Sequence, residues 1–262
     1  HDTFSGEVSA RTAIGERQLV AFGGSTGLDL FSLEAAPDHD SRQQSAIFFE
    51  DFIVLGKKVS LDLAVRGDHF STVGNTVSPR VTFIVQPRAR QSVRFGWSRA
   101  FRAPTLIESY VHVDAASVVP LPSGPFVFPL YVRGGTSLSV EESESIEIGW
   151  TGDLSKRHGL SASLYSTEIG NIIDFYPAEF WSPSDPPPGW PEDPAMLATL
   201  GLPKTMTYRN VGRIRQDGVE ISLSSGWSRR VSTTLSATWQ AAPEFLENDP
   251  VIPIRANVPP AW

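Results

Sequence analysis

Residues 59–67, VSLDLAVRG, alternate without a break: Val59, Leu61, Leu63 and Val65 share one face of an extended chain, while Ser60, Asp62, Ala64 and Arg66 share the other. The same period of two returns at Val81, Phe83 and Val85, at Val93, Phe95 and Trp97, and at Ile146, Ile148 and Trp150. It closes with Val219, Ile221 and Leu223, then Val231, Leu235, Ala237 and Trp239. This pattern predicts ten strands, over 3–13, 18–27, 43–54, 59–69, 78–86, 91–101, 142–153, 160–170, 207–225 and 231–241. A helical period is missing except for a short turn predicted in PAMLATLGL, inside a loop.

Alternation suits a soluble sandwich and a membrane barrel equally, because both have one apolar and one polar face. The connections separate them. Tight links at 14–17, 55–58, 87–90, 154–159 and 226–230 alternate with longer ones at 28–42, 70–77, 102–141, 171–206 and from 242 onward. In a meander every second link lies at the same rim, so the tight turns gather at one end and the long loops at the other. That is the anatomy of an all-β, antiparallel up-and-down transmembrane barrel, here about ten strands of a larger one. Most predicted strands reach the roughly 9–11 residues that a tilted membrane strand needs. Aromatics near strand ends, among them Phe49, Phe52, Phe70, Trp97, Trp150, Tyr165, Trp227 and Trp239, suit interfacial girdles.

Composition narrows the function. The 262 residues carry 22 Lys and Arg against 29 Asp and Glu, a net charge of -7 that leaves no basic surplus for nucleic acid. The chain has 0 cysteines, which removes thiolate catalysis and Cys-based zinc sites. No apolar run is long enough for a membrane helix. The start HDTF has no initiator Met and the end NVPPAW stops after a Pro pair, so the chain is expected to be part of a longer one.

Several connected strings resemble the TonB-dependent outer-membrane receptors. SAIFFEDFIVLGKKVSLDLAVRGDHF resembles that family's acidic, aromatic hairpin, and SPRVTFIVQPRARQSVRFGWSRAFRAPTLIESY its Pro-Arg strand with the Phe-Arg-Ala-Pro-Thr segment. VEESESIEIGWTGDL and YRNVGRIRQDGVEISL resemble its Glu-Ser-Glu and Asn-x-Gly strands, although RGGTSLSV stands where Asn and Pro often precede the former. The resemblance implies that residues 1–262 form part of one receptor barrel in a Gram-negative outer membrane, with the plug domain and final strands lying outside the chain. It further implies energised uptake of a scarce nutrient such as an iron-siderophore complex, with outer-membrane lipid, the receptor's own plug and TonB as partners. No enzyme activity, metal, cofactor or nucleic acid is expected, and the transported ligand is left open. The alternatives are a passive porin or adhesin barrel, and a soluble secreted carbohydrate-binding protein.

On this reading the charges opposite the apolar rows, Asp62, Arg66, Arg80, Arg94, Glu147 and Glu220, line the lumen, where they either hold a plug or keep the interior wet. Arg99 shares the apolar parity and belongs near the headgroups, whereas Arg102 points toward the barrel mouth. Loop residues Arg102, Tyr110, Tyr131, Phe175, Tyr176, Trp181 and Trp190 are candidates for grasping a ligand, or for packing the loops against one another. Three local motifs complete the inventory. Gly23-Gly24-Ser25-Thr26-Gly27 matches a nucleophile elbow but lacks a following helix, and Asp38-His39-Asp40 and His112-Val113-Asp114 offer metal-ligand types on loops.

Overall fold

A computed structural model describes residues 2–37, 41–228 and 230–247. The first six strands form an antiparallel meander: β1 (Asp2–Ile14), β2 (Gln18–Leu30), β3 (Ser41–Val54), β4 (Val59–Phe70), β5 (Gly74–Val85) and β6 (Gln91–Arg102). The chain then leaves the wall through helix α1 (Leu106–Tyr110) and the hairpin β7 (His112–Leu121) and β8 (Gly124–Arg133). It returns as β9 (Glu141–Asp153), which pairs with β6 as though nothing had intervened. Next come β10 (His158–Phe180), a 3-10 turn at Pro194–Met196 leading into α2 (Leu197–Leu200), β11 (Pro203–Gly226), β12 (Ser232–Gln240) and β13 (Glu244–Glu247). The last two pair in turn with lower and middle β11, so together they form one interrupted wall strand. Among the described residues the sheet is open, with β1 at one edge and β7 at the end of the other.

The ten predicted strands are the wall, and the predicted helical turn is present. Three predicted loops are shorter or more ordered than expected. The 70–77 link shrinks to residues 71–73 because the β4–β5 ladder continues to Phe70 opposite Gly74. The 102–141 stretch contains α1, β7 and β8, and the 171–206 stretch is largely taken up by the extensions of β10 and β11. These pieces follow no simple alternation because apolar and proline residues fall on both sides of their strands, as in VVPLPSGPFVFPLYV.

The two faces of the wall differ as predicted. Phe22, Phe49, Val65, Phe83, Phe95, Ile148, Leu164, Ile221 and Leu235 are all exposed and share one face through the register. Phe52, Phe70 and Tyr165, expected in girdles, have the opposite parity; Tyr165 lies against Gly218, where a Cβ would meet its ring.

The upper limit of the apolar face is oblique. It ends at Ile47 on β3, level in register with Gly67 and Val77, but at Trp97 on β6, which lies opposite Val81. On β11 it ends at Val219, one inward–outward repeat below Asp217, the residue level with Trp97. The drop is four residues from Val77 to Val81 and two more from Asp217 to Val219, spread over six strand-to-strand steps. At ~3.4 Å per residue and ~4.8 Å per strand, the boundary slants by roughly 35° to the hydrogen-bonded rows. A flat membrane surface draws that line on strands tilted by about 35–45°, the tilt of a barrel wall.

Candidate functional site

The mouth of the barrel is assembled where β6 ends. Pro104, fully buried, cannot donate to a ladder and stops the strand. Thr105 then caps α1 in a reciprocal box: its hydroxyl accepts from the Glu108 N–H at 3.2 Å, and Glu108 Oε2 accepts from the Thr105 N–H at 2.6 Å. Arg102 turns back over this helix. Its Nη1 and Nη2 donate to the two Glu108 oxygens at 2.9 and 3.1 Å, and its Nε donates to Glu141 Oε2 at 2.5 Å. Glu141 Oε1 in turn accepts from the Ile173 N–H at 2.7 Å. One guanidinium thus joins the end of β6, α1, the start of β9 and upper β10. Both carboxylates hold Arg102 further above its already high ordinary range. Burial works to raise Glu108, but donation from Arg102 and the Thr105 backbone outweighs it and holds the carboxyl below the usual range.

A second fastening lies on β11. Asn210 donates from Nδ2 to the carbonyls of Ser139 at 3.0 Å and Asn171 at 2.7 Å, and its Oδ1 accepts from the Ser139 N–H at 2.7 Å. The segment leading into β9 is therefore stitched to the wall by one side chain. Asn171 and Gly212 both have positive φ, 54° and 56°, at the point where β10 and β11 pass each other. The hairpin changes course there without losing register. Directly above, Phe175 and Tyr208 meet with ring centroids 4.9 Å apart, and Phe175 remains exposed. Burial, then the nearby Glu108 charge, raise the Tyr208 phenol, which stays protonated.

Outside this mouth sits a compact hydrophobic cap. Val119, Leu121 and Phe128 of the β7–β8 hairpin pack with Trp181, Leu197 and Leu202 from the other excursion. Trp181 Nε1 donates to the Pro129 carbonyl at 3.2 Å, while Lys204 lies 4.9 Å from its ring. Phe126 and Trp190 meet edge to face at 5.3 Å. The hairpin is joined to the wall by a short parallel ladder, Tyr131–Arg133 alongside Thr205–Thr207.

These contacts sort the ligand candidates. Trp181 and Tyr176 are buried, at 5% and 3% exposure, and offer no surface in this conformation. Tyr131 and Trp190 pack against the cap, with Arg133 also over the Tyr131 ring, and Arg102 is taken up by two carboxylates. Phe175 keeps an open face, and Tyr110 lies at the end of α1, half-buried. Tyr208 and Glu108 were not singled out from sequence, and Asn210 only as the Asn of the Asn-x-Gly resemblance. Tyr208 fell within a predicted strand, and its role depends on where β10 and β11 carry the chain above the membrane.

The six charges predicted for the lumen have inward parity, and most pair within the wall. Arg80 donates to Glu50 at 2.9 Å and Asp62 at 3.2 Å, Arg94 bonds Glu147 at 2.6 Å, and Arg66 bonds the buried Asp68 at 2.9 Å. Glu220 lines a groove of ≈ 360 Å³ with Arg94, Ser163 and Ser222. Gly149 has a packing reason: a Cβ there would come within 2.8 Å of Arg94 Nε.

Two of the remaining motifs lie in paired strands. Ser25 lies inside β2, and a side chain at nearby Gly23 would strike the Phe48 ring, so Gly23 serves close packing. His112-Val113-Asp114 opens β7, and Asp114 pairs with Arg133 at 2.6 Å. Asp38-His39-Asp40 lies outside the described residues; among those described, no group of three metal-ligating side chains comes together. Among the described residues no helix is long and apolar enough to cross a membrane, which says nothing of crossing by strands.

Comparison with known proteins agrees with this geometry. A family model described as TonB dependent receptor-like, beta-barrel matches residues 3–259. Among solved structures, the siderophore receptor PirA from Pseudomonas aeruginosa superposes with a TM-score of 0.68 at 19% identity, covering 93% of this chain and 43% of that one. A mutant of the ferric enterobactin receptor PfeA from Pseudomonas aeruginosa gives 0.64 at 20% identity, covering 91% and 35%. The FrpB iron transporter from Neisseria meningitidis gives 0.62 at 13%, covering 97% and 38%. The chain therefore spans less than half the length of these structures. No curated protein matches it by sequence.

Proposed function

Because the chain belongs to the TonB-dependent receptor-like β-barrel family, we propose that it forms the greater part of one wall and part of the mouth of an outer-membrane importer for iron-siderophore complexes. The observation that carries this reading is the aromatic pair of exposed Phe175 and half-buried Tyr208 on β10 and β11, near Glu108 of the locked Arg102 cluster. Aromatic faces held by paired strands can pack on the apolar or aromatic surface of a large iron chelate with little ordering cost. The iron-related receptors among the similar structures support the ligand class. In the intact receptor, the paired lumen charges face a plug, and TonB supplies the energy that loosens it. A passive pore and a soluble carbohydrate-binding protein are disfavoured by the family match.

The test is ligand binding and uptake by the intact receptor. Phe175→Ala and Tyr208→Ala each weaken binding of the imported ferric siderophore by about tenfold, the scale of one aromatic contact. Thermal stability changes little for Phe175→Ala, whose side chain is already exposed. Uptake that persists without TonB, or affinity untouched by both substitutions, contradicts the proposal.

A further inference from the structure

The outward apolar band has a lower border as well as an upper one. Leu55, just after β3, lies eight residues beyond Ile47; Leu154, just after β9, lies eight beyond Ile146; and Trp227, just after β11, lies eight beyond Val219. Each keeps the outward parity, closes its ladder by donating its N–H to the carbonyl of Val59, His158 or Val231, and is exposed. Asp51 and Ser225 fall inside the band but are buried, and they bond Gln18 and the His158 ring. The lower border therefore runs parallel to the upper one and slants with it. Eight residues span ~27 Å along a strand and, at a tilt of about 35–45°, roughly 20 Å of depth, to which the end side chains add their reach. This height suits the ~25 Å apolar band of an outer-membrane barrel. Above the upper border begin charged rows with Arg99, Glu144, Glu168 and Arg215.

Below the lower border, every tight turn of the wall carries Lys or Arg. Arg17 stands in the β1–β2 turn, and Lys57 and Lys58 in the β3–β4 turn. Arg88 and Arg90 follow between β5 and β6, Lys156 and Arg157 between β9 and β10, and Arg230 between β11 and β12, all exposed. The acids beside them are Glu16 and Asp153, and Asp153 pairs with Arg90 at 3.5 Å. The other turn cations have no ion-pair partner among the described residues. The opposite end of the wall has the reverse character: segments 103–132 and 181–202 hold Glu108, Asp114, Asp185, Glu192 and Asp193 and no Lys or Arg. A chain of net charge -7 thus gathers free cations along one rim.

The depth of that rim selects its partner. These turns are too short to carry a side chain far from the apolar border, and the headgroup layer extends about 5–7 Å beyond the hydrocarbon. Leu55, Leu154, Trp227 and Val231 anchor the same turns with exposed apolar surface, which a soluble acidic partner would leave in water. Lys and Arg stems lie along such surface and hold their charge among lipid phosphates. We propose that the basic rim seats on anionic phospholipid headgroups of the leaflet beneath it, with Lys156, Arg157 and Arg230 meeting phosphates beside the Trp227 anchor. The inference rests on the membrane orientation of the wall and is independent of what the receptor imports.

The experiment reconstitutes the intact receptor in phosphatidylcholine bilayers containing a minor fraction of brominated phosphatidylglycerol or, in parallel, brominated phosphatidylcholine. Quenching of Trp227 fluorescence, isolated by subtracting the signal of Trp227→Phe, reports the lipid beside this rim. At low salt the anionic lipid is enriched there by about fivefold, the scale of one cation at an anionic surface, and the enrichment falls in 0.5 M NaCl, a concentration of the order at which screening becomes short-ranged. Lys156→Gln, Arg157→Gln and Arg230→Gln combined abolish the preference, whereas Lys156→Arg with Arg157→Lys retains it. Equal quenching by the two lipids in the unsubstituted receptor overturns the proposal, as does a preference that survives the triple substitution. Quenching by neither lipid contradicts the membrane orientation itself, and the proposal falls with it. Capture of the receptor by purified cell-wall sacculi, lost in the triple variant and without any lipid preference, assigns the rim to an anionic wall polymer and overturns the lipid proposal.

Discussion

Arg102 shows how much one side chain can organise. It closes the end of a wall strand by bonding Glu108, which already caps α1, and Glu141, which opens β9. Glu108 is held below its ordinary range, so its contribution is complete above the unfolded value near 4.3 and is lost as pH falls through the lower folded value. Hydrogen exchange of residues 105–111 should therefore stay slow at neutral pH and quicken only in acid. In Arg102→Ala the burial effect on Glu108 loses its main opponent, and the same quickening should begin at higher pH. An unchanged onset would mean that the pair does not control the helix. Asn210 makes a matching prediction: Asn210→Ala removes three hydrogen bonds to backbone and should raise exchange across residues 134–140 by about tenfold or more. The fragments FRAPT, VEESES and RNVG could each be recognised in sequence as family-like. Their meeting in one fastening could not, because Arg102, Glu141 and Asn210 are far apart along the chain and come together only through the β6–β9–β10–β11 register.

At the scale of elements, the two long excursions behave as one body. The β7–β8 hairpin and the segment from Trp181 to Leu202 share a core and a hydrogen bond, and a parallel ladder ties the hairpin to β11. Trp181→Ala should cost about 3–5 kcal/mol of local stability. Protection of 118–128 and of 181–202 should then fall together while the wall strands keep theirs; independent loss in only one excursion would divide the cap into separate loops. The wall strands were legible because each has one wet and one dry face, which prints a period of two on the sequence. The cap was not. Its strands are apolar or proline-rich on both sides, as in VVPLPSGPFVFPLYV, and such a run reads as loop until its packing partner is known.

For the whole molecule, the decisive property is the difference between the faces. Leu164→Arg puts a cation on the apolar face, about two inward–outward repeats below the charged boundary, at a cost of about 2–4 kcal/mol near the midplane. Ser163→Arg, next along the strand, turns into the polar groove near Glu220. Assembly of the intact receptor in the outer membrane, assayed by resistance of the folded barrel to unfolding in detergent, should fail for the first and survive for the second. Equal outcomes would mean that the faces have been exchanged.

The sequence by itself determined the strands, their alternation, the short and long rims, and which side of each strand is apolar, since all follow from local periodicity and turn chemistry. Tertiary structure decided what lies across the sheet: which carboxylates Arg102 meets, which aromatics disappear into the cap, and how far the apolar boundary slants. The reason is that register and strand tilt couple positions dozens of residues apart, and no local pattern records that coupling.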